Sequence, residues 1–123
     1  MSTITVTNIK ATGETASREV SGVAAAWVNF NGTGTIAARD SVNVASLTDN
    51  GTGTYGISFS NSFANSNFMV AALTGISSGS ADIRLANSSP LTTSSINLLT
   101  VNGDQSSLQD NDQVHSAAHG DLA

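Results

Sequence analysis

The chain has 123 residues, 39% of them hydrophobic and only 11% charged, with no cysteine and a net charge of −5. That length supports one core and not two, and so much apolar content excludes a disordered chain. Lys10, Arg18, Arg39 and Arg84 are too scattered to track phosphates, so nucleic acid is not an expected partner. The lack of cysteine removes disulfides, thiolate zinc sites and thiol nucleophiles. No window approaches the roughly 18 apolar residues of a spanning helix, so membrane insertion is not expected.

Residues 3–8 alternate Ile4 and Val6 with threonines, a strand pattern short enough to need a partner. Residues 9–22 (IKATGETASREVSG) lose that alternation, and their composition allows a helical turn or two around 14–20. Residues 1–22 together read as an attachment arm, and 23–123 as a head. The head opens on 23–31 (VAAAWVNFN), an unbroken apolar run that predicts a strand covered on both faces. Trp27, Val28 and Phe30 are therefore the candidates for burial against another subunit. Further strands are predicted at 36–38, 42–48, 55–59, 68–74, 81–87, 96–101 and 114–119, with Tyr55, Ile57 and Phe59 sharing one face. Between them, 61–67 is a loop carrying one buried-type residue, Phe63, and 75–80 is a Ser/Gly link. Residues 87–91 turn around the only proline, 102–104 turn again, and 104–113 read as loop apart from Leu108. Short strands at close spacing without a long helix predict an all-β protein. The expected architecture is a single small antiparallel β-sandwich, jelly-roll-like, with a short N-terminal arm.

The pentapeptide NGTGT occurs twice, at 31–35 and 50–54, each time between strand patterns. Asn-Gly favours positive φ, so both copies predict hairpin turns with Gly32 and Gly51 in that conformation. Around them lie AWVNFNGTGT, then Arg39-Asp40-Ser41, then NVASLTDNGTG. This order of residues resembles the shared stretch of a family of small bacteriophage tail-fibre domains. The similarity is strongest over 26–73 and returns at 114–121, where VHSAAHGD looks like the family's closing strand with His119 in place of its usual aromatic. The opening MSTITV looks like the start of short fibre proteins, which implies a complete small gene product. The resemblance implies a homotrimeric, β-rich knob, a virion protein of the tail more than of the head. It also implies attachment to another virion protein through residues 1–22 and adsorption to a bacterial surface glycan or protein. Residues 75–112 match nothing in the family, and contacts to the receptor are expected in that variable part. Its loops 75–80, 87–91, 102–107 and 110–113 offer Ser77, Ser78, Asn87, Ser88, Asn102 and Asp104 as candidates. A capsid decoration or cementing protein without receptor binding is the alternative.

Several short motifs match chemistry by letter and fail by context. GTGTYG at 51–56 spells a dinucleotide fingerprint, but a strand pattern follows where a helix must open. GISSG at 75–79 spells a nucleophile elbow, and Asp82, His115 and His119 follow it, yet no helix is available to complete an elbow. His115 and His119 on one strand stand roughly 13 Å apart, too far for one metal within one chain. Three copies of one histidine around a subunit axis remain an open alternative. Asp110-Asn111-Asp112 begins like a calcium loop, but Val114 stands where a ligand is due and no Glu closes it. The remaining carboxylates sit mostly at turns, the ordinary place for aspartate. No enzymatic activity and no cofactor are expected.

Overall fold

A computed structural model describes residues 1–9, 12–13, 15–16, 18–19, 23–77 and 91–123. Within them the regular elements are all strands: β1 (Asn8–Ile9), β2 (Arg18–Glu19), β3 (Ala24–Asn31), β4 (Ala37–Val42), β5 (Val44–Asp49), β6 (Thr54–Phe59), β7 (Met69–Gly75), β8 (Ser95–Leu99) and β9 (Gln113–His119). A four-stranded sheet has the order β4-β3-β9-β7 and a three-stranded sheet the order β5-β6-β8, while β1 and β2 form a separate two-stranded ribbon. Every pairing is antiparallel.

Period-2 writing explains how the two larger sheets share a core. Alternate residues of β3 (Ala26, Val28, Phe30) and β9 (Val114, Ala118) are buried, as are Tyr55, Ile57 and Phe59 of β6 and Ile96 and Leu98 of β8. Phe30 meets Tyr55 edge-on, with ring centroids 5.3 Å apart. At the other end Phe63 stacks on Phe68 at 4.1 Å, and Phe59 meets both edge-on. All four phenylalanines and the one tyrosine therefore lie in the core, which leaves Trp27 as the one aromatic outside it. The result is a small β-sandwich-like fold.

Strand directions give the fold two unlike ends. The chain enters β3 at Ala24, and that end also receives residues 60–68 and the terminal residues 120–123. Backbone hydrogen bonds that close it include Ala64 N–H to Asp121 O, Ala123 N–H to Ser62 O, and Phe63 N–H to Thr93 O. The opposite end gathers both NGTGT turns, Ser77 after β7, and the segment 100–112. We call these the entry end and the turn end.

Several expectations are corrected. The 3–8 pattern forms a strand only at Asn8–Ile9, where it pairs with Arg18–Glu19, so that pair of residues is extended and not helical. A run read as one strand over 42–48 is broken at Asn43, whose φ of 56° turns the chain from one sheet into the other. Asparagine tolerates that conformation, and its amide is held by Asn61: Asn43 Oδ1 accepts from the Asn61 N–H at 2.7 Å. The strand expected at 96–101 ends at Leu99; Val101 instead bridges to Leu108. The expected 81–87 strand and the turn at 87–91 lie largely outside the described residues, among them Ser78, Asn87 and Ser88. Finally, within one copy 23–31 is covered on one face only. Ala26, Val28 and Phe30 are buried, while Trp27 and Asn29 between them are only half-buried on the opposite face.

Candidate functional site

The turn end is built on Asp110-Asn111-Asp112, a segment read from sequence as surface loop. Asn111 is buried at 1% exposure, and each of the three residues secures a different element. Asp110 Oδ1 accepts from the Gly53 N–H at 2.6 Å and from the Tyr55 hydroxyl at 3.0 Å. The carbonyl of Asn111 accepts from the Gly32 N–H at 3.0 Å, and its Nδ2 donates to Thr74 Oγ1 at 2.9 Å. Asp112 accepts from the Ser77 N–H at 2.9 Å and from the Ser77 hydroxyl. Asn111 Oδ1 is buried with no partner among the described residues, a polar atom that tight packing holds in place at some cost.

Tyr55 closes this arrangement from the core side. Its single hydroxyl proton is shared between Gly32 O at 2.8 Å and Asp110 Oδ1 at 3.0 Å. Burial, then the hydrogen bond and charge of Asp110, push the phenol up to about 12. Arg39 closes it from the edge. The β3–β4 register shifts so that Asn29 faces Asp40 and Phe30 faces Ala38, which leaves Arg39 as the extra residue of a bulge. Re-aimed in this way, its guanidinium donates to Asn29 Oδ1 (3.1 Å), Phe30 O (2.9 Å) and Asp112 O (2.6 Å). Hydrogen bonds from Ser77, with a smaller contribution from the Arg39 charge, hold the Asp112 carboxyl below the usual carboxylate range.

Above this platform residues 102–107 form an exposed loop that is closed on itself. Asn102 Oδ1 accepts from the N–H groups of Ser106 (2.9 Å) and Ser107 (3.1 Å), and Asp104 Oδ1 accepts from the Ser106 N–H (3.0 Å). Gln105 takes a φ of 63° at its tip. These bonds assign roles to the candidates. Asn102 shapes the loop, and its amide is spent inside it. Asp104 is fully exposed, with its carboxyl held below the usual range first by the Ser106 side chain. Ser77 is engaged by Asp112. What the loop exposes is a set of polar side chains on residues 104–107, held by these internal hydrogen bonds.

Of the three candidates for a subunit contact, Val28 and Phe30 are used up in the chain's own core, at 2% and 0% exposure. Trp27 alone looks outward. Across the sheet it stands in a row with Val42, Ala117 and Ala71; in the next row lie Asp40, Asn29, His115 and Leu73, and His119 pairs with Met69. His115 and His119 thus share this outer face, and no cluster of three metal-ligating side chains occurs among the described residues. The GTGTYG match falls on the β5–β6 turn and β6, with no helix behind it. In GISSG, Gly75 ends β7 and Ser77 is bound to Asp112, while residues 78 and 79 lie outside the described set.

Sequence reasoning passed over Tyr55, Asp110, Asn111 and Arg39 as parts of one arrangement. The available signals were a lone tyrosine opening an alternating strand and an Asp-Asn-Asp run beside a polar loop. Compared with known protein families, with curated proteins and with solved structures, the chain matches none.

Proposed function

We propose that the chain is the knob of a short bacteriophage fibre or spike: a homotrimeric, jelly-roll-like virion protein that adsorbs the particle to a bacterial surface through its turn end. The observation that carries this reading is polarity. The arm enters β3 at one end of the fold, whereas the braced loop 102–107 and Ser77 lie at the other, so a chain fixed through residues 1–22 presents those loops outward. Resemblance of residues 26–73 to tail-fibre domains supports the same assignment. The role is one of binding, without catalysis or cofactor, and tail placement is preferred to head.

Low charge and many hydroxyl and amide groups suit the hydrogen-bonding surface of a glycan. Each knob then binds weakly, and several copies on one particle supply avidity. Exchanging residues 102–107 for the loop of a relative tests the proposal: adsorption should move to the relative's host while thermal stability and incorporation into particles stay unchanged. Normal incorporation with unmoved host range would reject receptor binding in favour of capsid decoration.

A further inference from the structure

We infer that the outer face of the β4-β3-β9-β7 sheet, centred on Trp27, is where one copy of this chain packs against another. The inference rests on the trimeric part of the proposed function and names its surface. Three observations carry it.

The first is what the face exposes. Met69, Leu73 and Val42 are 55%, 54% and 47% exposed, and beside them lies Trp27, the one aromatic that the chain keeps out of its core. A shallow depression, floored by Ala71 and Ala117 and walled by Trp27, Leu73 and His115, is shaped to take a protruding side chain. Aromatic residues in such surroundings dominate association energies.

The second is charge. The chain carries −5, so copies repel wherever their acidic surfaces meet. Of the outward residues named in the two rows only Asp40 is charged, and Arg39 lies beside it in sequence with its guanidinium on Asn29 of the same row. The face is close to neutral on an acidic molecule, which favours a second copy over a basic partner.

The third is size and continuity. Four strands about 4.8 Å apart and some six residues long make roughly 400 Å² of flat sheet. A standard interface takes about 800 Å² from each partner. The difference is available next door: β4 and β5 are exposed along most of their length, and Val42 joins them to the outer face. Contact between a face on one copy and an edge ribbon on the next is heterologous, which gives a ring where the rotation between copies closes and never an isologous dimer.

The experiment uses the full chain and its single tryptophan. At micromolar concentration, light scattering should give the mass of three copies, and Trp27 should emit as a buried indole that resists acrylamide. Dilution should return both signals to those of a monomer with a half-exposed tryptophan. Leu73→Asp should raise the dissociation concentration about tenfold or more while keeping the β circular dichroism. Met69→Lys repeats the test on a second exposed residue, and Leu73→Met should associate normally. Leu73→Asp and Met69→Lys proteins that stay trimeric with unchanged Trp27 emission would overturn the assignment of this face and leave the trimer standing. A folded wild-type monomer at all concentrations would overturn both. Host adsorption after loop exchange reads the receptor proposal separately.

Discussion

Two identical pentapeptides, residues 31–35 and 50–54, make the same kind of connection and seal it through different glycines. Both join antiparallel neighbours, β3 to β4 and β5 to β6, at the turn end. In the first copy Asn31 uses its own side chain: its Oδ1 accepts from the Thr33 N–H (3.2 Å) and hydroxyl (2.9 Å), and positive φ falls on Gly34. In the second the bracing oxygen belongs to the residue before, Asp49 Oδ1 accepting from the Gly51 N–H at 2.9 Å, and positive φ falls on Gly51 and Gly53. The sealed position also moves. Gly32, second in its copy, lies under Tyr55 and Asn111; Gly53, fourth in its copy, lies under Thr100 and Gln109. Asn-Gly was expected to place Gly32 at positive φ, and it does not: Gly32 is required for space and Gly51 for conformation. Identical local sequence thus specifies a turn, while its neighbours decide which glycine cannot be replaced.

Alanine substitutions should separate these reasons. Gly53→Ala carries both penalties, since a Cβ there would overlap the Thr100 carbonyl oxygen and stand 2.7 Å from the Gln109 nitrogen at a φ of 62°. A loss of about 3–5 kcal/mol is expected in urea melts, from strain and overpacking together. Gly32→Ala meets crowding alone, 2.6 Å from the Tyr55 hydroxyl and 2.7 Å from the Asn111 carbonyl, and should cost about 2–3 kcal/mol. Adding Tyr55→Phe removes the hydroxyl but leaves the ring carbon Cζ 2.8 Å away, so the double variant should be less destabilised than the sum of the singles by only about 0.5 kcal/mol. Strict additivity would show that the hydroxyl contributes nothing to the crowding at Gly32.

Tyr55→Phe by itself should cost about 1–2 kcal/mol, because Gly32 O and Asp110 lose a buried donor. The phenol also predicts a pH dependence. Its pKa is raised in the fold, from 10.0 to about 12, so its stabilising effect is complete below pH 10 and disappears as pH climbs from there to 12. With one tyrosine in the chain, absorbance at 295 nm reports that ionisation directly. An ionisation centred near 10 in the folded protein would contradict the burial of the phenol together with its Asp110 contact, and in Tyr55→Phe the alkaline loss of stability should flatten.

Smaller effects belong to the glycines that need only conformation. A Cβ on Gly51 or Gly34 meets nothing within 4 Å, so only conformation counts: about 1 kcal/mol for Gly34→Ala at a φ of 63°, and about 2 kcal/mol for Gly51→Ala, whose φ of 116° lies outside the left-handed helical well. Should Gly51→Ala destabilise as much as Gly53→Ala, the distinction between the two kinds of glycine collapses.

Local pattern alone determined the all-β class, most strand positions, both hairpins and the inward row Tyr55, Ile57 and Phe59, because alternation and turn chemistry act over a few residues. Tertiary structure decided the rest. Whether Val28 and Phe30 or Trp27 looked outward depended on which face of β3 met the β5-β6-β8 sheet, and an apolar run carries no such direction. Arg18–Glu19 became strand by pairing with Asn8–Ile9, a choice that their own propensities do not contain. Asp110 bonds Gly53 and Tyr55 across separations of 57 and 55 residues, and Arg39 reaches Asp112 across 73. Side chains that far apart meet only after the sheets have paired, so the sequence supplied the donors and acceptors and the packed fold chose which of them would meet.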